Sequence, residues 1–223
     1  MMALQRISYQ DARPQMKPGD VIAFAGRSSL SKIIRMVTMS NITHVGTILK
    51  SQVGPMELNQ IVESTEVNGF CGVNISRFSD RLDAYDGEVF WLPVRKDLPF
   101  DADKFFTFLF DKAEKKHKWD ALQALKSGFD FLDDIPGFDI FTKNKEDMSK
   151  IYCSELVAAG FEAAGSIPNI NCSEVTPIEL CRWNIFEDNY YVLNESVADG
   201  TPDEDLTISR FNSAAPDAWG CKL

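Results

Sequence analysis

Residues 154–164 constrain the fold of this chain more than any other stretch. The run Ser154-Glu155-Leu156-Val157-Ala158-Ala159-Gly160-Phe161-Glu162-Ala163-Ala164 puts Leu156, Val157, Gly160, Phe161 and Ala164 at helical spacing. Ala158, Ala159, Gly160 and Ala163 keep the helix slim, so a sheet can approach it closely. Gly165 follows, suited to the left-handed backbone that ends a helix, and Pro168 stands just beyond. Such a helix belongs at the centre of a fold, and the rest of the chain must supply the sheet it packs on.

Four upstream runs supply it. Lys17-Pro18-Gly19-Asp20 is a turn signature before the apolar run Val21-Ile22-Ala23-Phe24-Ala25, which predicts a buried strand. Further β-like runs cover 43–49, 60–65 and 88–94, separated by turn clusters such as Val53-Gly54-Pro55 and Asp86-Gly87. A short helix capped by Ser28 or Ser29 is predicted over 30–39, a longer one over 101–116, and another short one over 120–125. Residues 127–150 read as an acidic, aromatic loop. Residues 1–193 form one expected domain with its core at about 17–182, and the acidic stretch 194–223 reads as a strap or loose tail.

Charge narrows the partners. With 33 Asp and Glu against 23 Lys and Arg, the formal charge of −10 argues against nucleic acid and against an anionic membrane surface. No signal peptide or membrane span is visible, so no stable membrane insertion and a cytoplasmic location are expected. Five cysteines without CxxC spacing read as reduced thiols. With two widely separated histidines they make no recognisable metal-ligand pattern, so neither a metal nor a cofactor is expected.

Cys153, in Ile151-Tyr152-Cys153-Ser154-Glu155, falls in the first turn of the central helix. Unpaired backbone N–H groups and the helix dipole favour a thiolate there. A thiol nucleophile needs an imidazole to take its proton, and the choice is between His44 and His117. His117 sits in the basic run Lys115-Lys116-His117-Lys118 and reads as solvated. His44, in Thr43-His44-Val45-Gly46, lies on a strand where Gly46 is expected to leave room beside the ring. Glu63, in Ile61-Val62-Glu63-Ser64-Thr65, is a carboxylate in an otherwise buried strand, where an unpaired charge is costly. It is the expected group to orient His44.

These residues resemble a family. His-Val-Gly in a strand, a carboxylate in Val-Glu-Ser, and Tyr-Cys-Ser-Glu-Leu-Val opening a helix are similar to the circularly permuted NlpC/P60 proteins, in particular their YiiX-like branch. The resemblance runs from about Lys17 to Leu180 and takes in Pro18-Gly19-Asp20-Val21-Ile22 and Thr176-Pro177-Ile178-Glu179-Leu180. In ordinary members the cysteine helix precedes the histidine strand; here His44 comes first, as in the permuted order. The resemblance implies an α+β, papain-like fold with a central antiparallel sheet packed against the nucleophile helix. It implies Cys153 as nucleophile, His44 as base and then acid, and Glu63 as the orienting group. Where the family commonly carries Tyr-Asp near the oxyanion site, this chain reads Trp119-Asp120, whose indole N–H can donate. Tyr152 and the backbone N–H of Cys153 are further expected donors.

The function expected is a thiol hydrolase of the amidase or peptidase type, acting on a peptide or cell-wall-like amide. The alternatives are a lipid or ester acyl hydrolase or acyltransferase, and an inactive peptide- or lipid-binding module on the same scaffold. In the acidic loop 130–139, Asp133 and Asp134 are candidates to receive a cationic substrate group.

Overall fold

The computed structural model describes residues 3–26, 40, 42–67, 70–115, 152–193 and 211–216. The helices predicted over 30–39 and 120–125, the acidic loop and His117 lie outside the described residues. Among the described residues the strands are β1 (Ala3–Arg6), β2 (Val21–Gly26), β3 (His44–Val53), β4 (Met56–Val67), β5 (Phe70–Arg77), β6 (Gly87–Leu92) and β7 (Asn189–Val192). The helices are α1 (Tyr9–Ala12), α2 (Phe78–Asp83), α3 (Ala102–Glu114), α4 (Tyr152–Ala163) and α5 (Pro177–Arg182). The strands make one sheet in the order β1-β7-β6-β2-β3-β4-β5.

The sheet is mixed rather than purely antiparallel. Neighbours from β7 to β5 run antiparallel, whereas β1 lies parallel to β7 in the register Ala3↔Asn189 to Arg6↔Val192. A parallel pair needs a long connection, and nearly the whole chain separates these two strands.

β2 sits between β3 and β6, which is why it is apolar at every position: both of its faces are covered. Val21, Ala23 and Ala25 point to one side with Val45, Leu49, Val62, Phe90 and Leu92, under Leu156, Val157 and Phe161 of α4 and Phe105 and Leu109 of α3. Ile22 and Phe24 point to the other with Ile48, Ile61, Val89 and Trp91, against Ala12, Met16, Phe78 and Leu82. Each large side chain so buried contributes about 1.5–3 kcal/mol of transfer free energy.

Both ends of the central helix are fixed. At its C-terminus Gly165 takes φ +71°, Ser166 N–H donates to Phe161 C=O and Gly165 N–H to Glu162 C=O, a Schellman arrangement that explains why glycine stands there. At its N-terminus the Ser154 hydroxyl donates to Val175 C=O. Val175 leads directly into α5, whose start is held by a capping box between Thr176 and Glu179 with Pro177 in the first turn.

The turn before β2 is clamped by its own carboxylate. Asp20 accepts from Trp91 Nε1 at 2.8 Å, Lys17 N at 2.9 Å and Val94 N at 3.0 Å, tying the start of β2 to β6 and the segment after it. In the C-terminal region, residues 211–216 lie against the core. Phe211 is buried edge-on to Phe90, and the Asn212 side chain both accepts from Phe186 N and donates to Phe186 O. Among the described residues no helix is long and apolar enough to cross a membrane.

Candidate active site

The β3–β4 ladder runs from Val53↔Met56 to Thr47↔Val62 and ends there. Beyond that point β3 stays with β2 as far as His44↔Phe24, and β4 stays with β5 as far as Val67↔Phe70. The sheet therefore divides at residues 44–46 and 63–65, and α4 packs on both strands. Ile48 N–H donates to Asp20 C=O on the β2 side, so by strand alternation the amide of Val45 faces β4. That amide instead donates to Cys153 Sγ at 3.4 Å. The nucleophile candidate thus takes up a hydrogen bond left over where the ladder stops.

The division lets groups from both faces of the sheet meet at His44. Its Nε2 lies 2.6 Å from Glu63 Oε2. Among the described residues the other ring nitrogen, Nδ1, is buried with no hydrogen-bond partner, and the charge of Cys153 acts on the ring. Cys153, His44 and Glu63 are 0%, 3% and 2% exposed. The structure therefore brings together the three residues that the sequence singled out.

Burial works against charge on the imidazole. The negative charge of Cys153, and then the hydrogen bond and charge of Glu63, outweigh it, carrying the His44 pKa up to about 9. Burial likewise raises Glu63. The hydrogen bond and charge of His44, and then the charge of Arg81, overcome this and hold the carboxyl below its ordinary value. At neutral pH the arrangement favours the imidazolium form of His44 beside an ionised Glu63. Cys181, also buried, is pushed up by desolvation and by the nearby charge of Cys153, which leaves it a neutral thiol.

Sequence reasoning missed two parts of this site. The first is the Val45 N–H. The second is Arg81, on α2, whose Nε donates to Glu63 Oε1 at 2.6 Å while its guanidinium lies 4.7 Å from the centre of the Phe24 ring and 5.1 Å from that of Tyr85. The one available signal was that a buried Glu63 has a second oxygen to satisfy. Gly46 also makes room for β4: a Cβ there would come within 2.7 Å of Ile61 Cδ1 and 3.1 Å of Val62 C=O.

Tyr152 opens α4, next to Cys153. Trp119, Asp133 and Asp134 lie outside the described residues. Among the described residues no group of three or more His, Cys, Asp or Glu side chains is arranged to hold a metal ion.

No protein-family model matches the chain, and no curated protein matches it. Among solved structures it is similar to the crystal structure of the metalloprotein YiiX from Escherichia coli O157:H7, at 19% identity with 67% of each chain covered and a TM-score of 0.44.

Proposed function

We propose that the chain is a cysteine hydrolase of the amidase or peptidase type, built on the permuted papain-like scaffold that its motif order suggests. One observation carries this reading: His44 stands between a buried thiol and a buried carboxylate, bonded to the carboxylate at 2.6 Å. An imidazole so held presents one chosen nitrogen to the sulfur.

In the proposed reaction the Cys153 thiolate adds to an amide carbonyl carbon, and the carbonyl electron pair moves onto oxygen. The N–H groups of the first turn of α4, that of Cys153 among them, suit the oxyanion. The His44 imidazolium gives its proton to the departing nitrogen as the C–N bond breaks, leaving a thioester and a neutral imidazole. Water then attacks the thioester, losing its proton to His44. The C–S bond breaks, the acid departs, and the thiolate–imidazolium pair is restored. The amine and acid released account for one amide and one water. Peptide amides, including cell-wall-like ones, are the substrate class proposed; an acyl ester would follow the same route with an alcohol leaving.

A second reading has its own support. Cys153 is fully buried, as a thiol kept for packing would be, which suits a binding module on the same scaffold. Iodoacetamide labelling of Cys153, followed across pH by peptide mass spectrometry, separates the two. Under the hydrolase reading labelling is rapid at neutral pH and slows at least ~10-fold in His44→Ala, since the thiolate loses its counter-ion. Cys153→Ala abolishes turnover with the fold intact. Slow labelling indifferent to His44 would leave the binding module.

A further inference from the structure

We propose that Arg81 is a positioning residue of this site, a fixed cation that keeps Glu63 ionised and turned toward His44 while the charge on His44 comes and goes. The inference rests on the hydrolase reading and adds a member to its machinery.

The geometry divides the Glu63 carboxylate between two partners. Oε2 faces His44 Nε2 and Oε1 faces Arg81 Nε, each at 2.6 Å. Arg81 is itself pinned. Its guanidinium lies over the rings of Phe24 and Tyr85, which are 4.8 Å apart, and the Phe24 ring also packs 5.4 Å from the His44 ring. The Arg81 side chain is 22% exposed against 2% for Glu63, so the pair is substantially desolvated and its Coulomb interaction is only weakly screened.

Turnover makes that cation necessary. When His44 has passed its proton to the leaving group, the imidazole is neutral, and a buried Glu63 with no other partner would be an uncompensated charge. The carboxyl would then compete with the sulfur and the leaving group for the proton. Arg81 does not lose its proton at any stage, so Glu63 keeps a counter-ion in every state of the cycle. Among the described residues the charged groups that act on Glu63 are His44 from β3 and Arg81 from α2, with Cys153 from α4 beyond His44.

The sign of the effect follows. Removing a fixed positive charge strengthens proton binding at every group of the site, so both the Glu63 titration and the pH at which Cys153 labelling begins should rise. The measurement is a carbon-13 titration of the Glu63 carboxyl, with iodoacetamide labelling of Cys153 across pH, in wild type, Arg81→Gln, Arg81→Lys and His44→Ala. In Arg81→Gln, which keeps a donor but not the charge, the Glu63 midpoint is expected to rise by roughly 1 to 3 pH units. The onset of labelling should move the same way, and Arg81→Lys should restore most of both. Superimposed wild-type and Arg81→Gln profiles, with labelling lost only in His44→Ala, would overturn the role of Arg81 and leave the hydrolase reading standing. Labelling indifferent to His44→Ala would overturn both. Should Arg81→Gln fail to fold, the titration in His44→Ala decides, since Arg81 is then the cation left on Glu63: a Glu63 midpoint at or above the ordinary value of about 4.3 overturns the proposal, and one well below it is the expected result.

Discussion

Asp20 and Glu63 are carboxylates of one sheet, 1% and 2% exposed, yet they sit on opposite sides of the ordinary range. Burial drives Asp20 up to about 6 in spite of hydrogen bonds from Val94 N, Lys17 N and Trp91 Nε1. Glu63 is held low. The number of hydrogen bonds does not explain the difference, because Asp20 has the more complete set. Neutral donors fill lone pairs without supplying the net charge that replaces lost hydration, whereas His44 and Arg81 bring cations. Asp20 therefore fastens a turn to a strand, and Glu63 joins His44 to Arg81.

The widest separation between the two is expected in turnover. Glu63→Gln should lower kcat about 100- to 10,000-fold, measured on an amide substrate, because the imidazole loses both its orienting acceptor and its counter-ion. Asp20→Ala should leave thiol labelling nearly unchanged. Its cost should appear in denaturant unfolding instead, at about 2–4 kcal/mol, as orphaned buried donors outweigh relief from a buried charge.

The pH dependence of stability should divide them again. The folded pKa of Asp20 is about 6 against 3.8 for the free group. The native state therefore binds the extra proton between those values, and stability falls as pH rises through that window, by about 3 kcal/mol from this group. The stability gap between wild type and Asp20→Ala should accordingly narrow from pH 3.8 to 6. Glu63 has its folded pKa below the 4.5 of the free group. Its contribution is complete above 4.5 and lost as pH falls through the folded value, so the gap between wild type and Glu63→Gln should shrink toward acid. Parallel slopes for the two variants would break the comparison.

A smaller effect tests the place where the sheet divides. Gly46→Ala presses on Ile61 and on Val62 C=O, immediately before Glu63. It should cost about 1–2 kcal/mol in unfolding and slow Cys153 labelling, while leaving the Asp20 titration where it was.

Much of the site was legible because chemistry and periodicity pointed the same way. With two histidines in the chain and one of them in an apolar strand, His44 was nearly forced. Cys153 stood at the head of a helix whose small residues announced close packing, and Glu63 was conspicuous among Ile61, Val62 and Ser64. Strands β2, β3, β4 and β6 each carry apolar runs that survive without context. β5 escaped because Gly72 and Asn74 dilute the alternation of Val73 and Ile75. Strands β1 and β7 are four residues each and acquire meaning only from pairing, β1 with β7 and β7 with β6 as well. Arg81 was invisible for a different reason. Its helix is six residues long without a side-chain cap, and its role comes from a carboxylate 18 positions earlier that meets it only after the sheet has formed. Cation placement of this kind is a tertiary property, and neither spacing nor propensity records it.

The hydrogen bond from Val45 to Cys153 makes the backbone of the sheet a party to the state of the sulfur. A thiolate is a strong acceptor for that amide, a protonated thiol a weaker one, and a sulfur carrying an acyl group weaker still. Each step of the proposed cycle would thus be registered at β3 as a change in one amide proton. Under that proposal the strand that carries the base would also sense what the nucleophile holds.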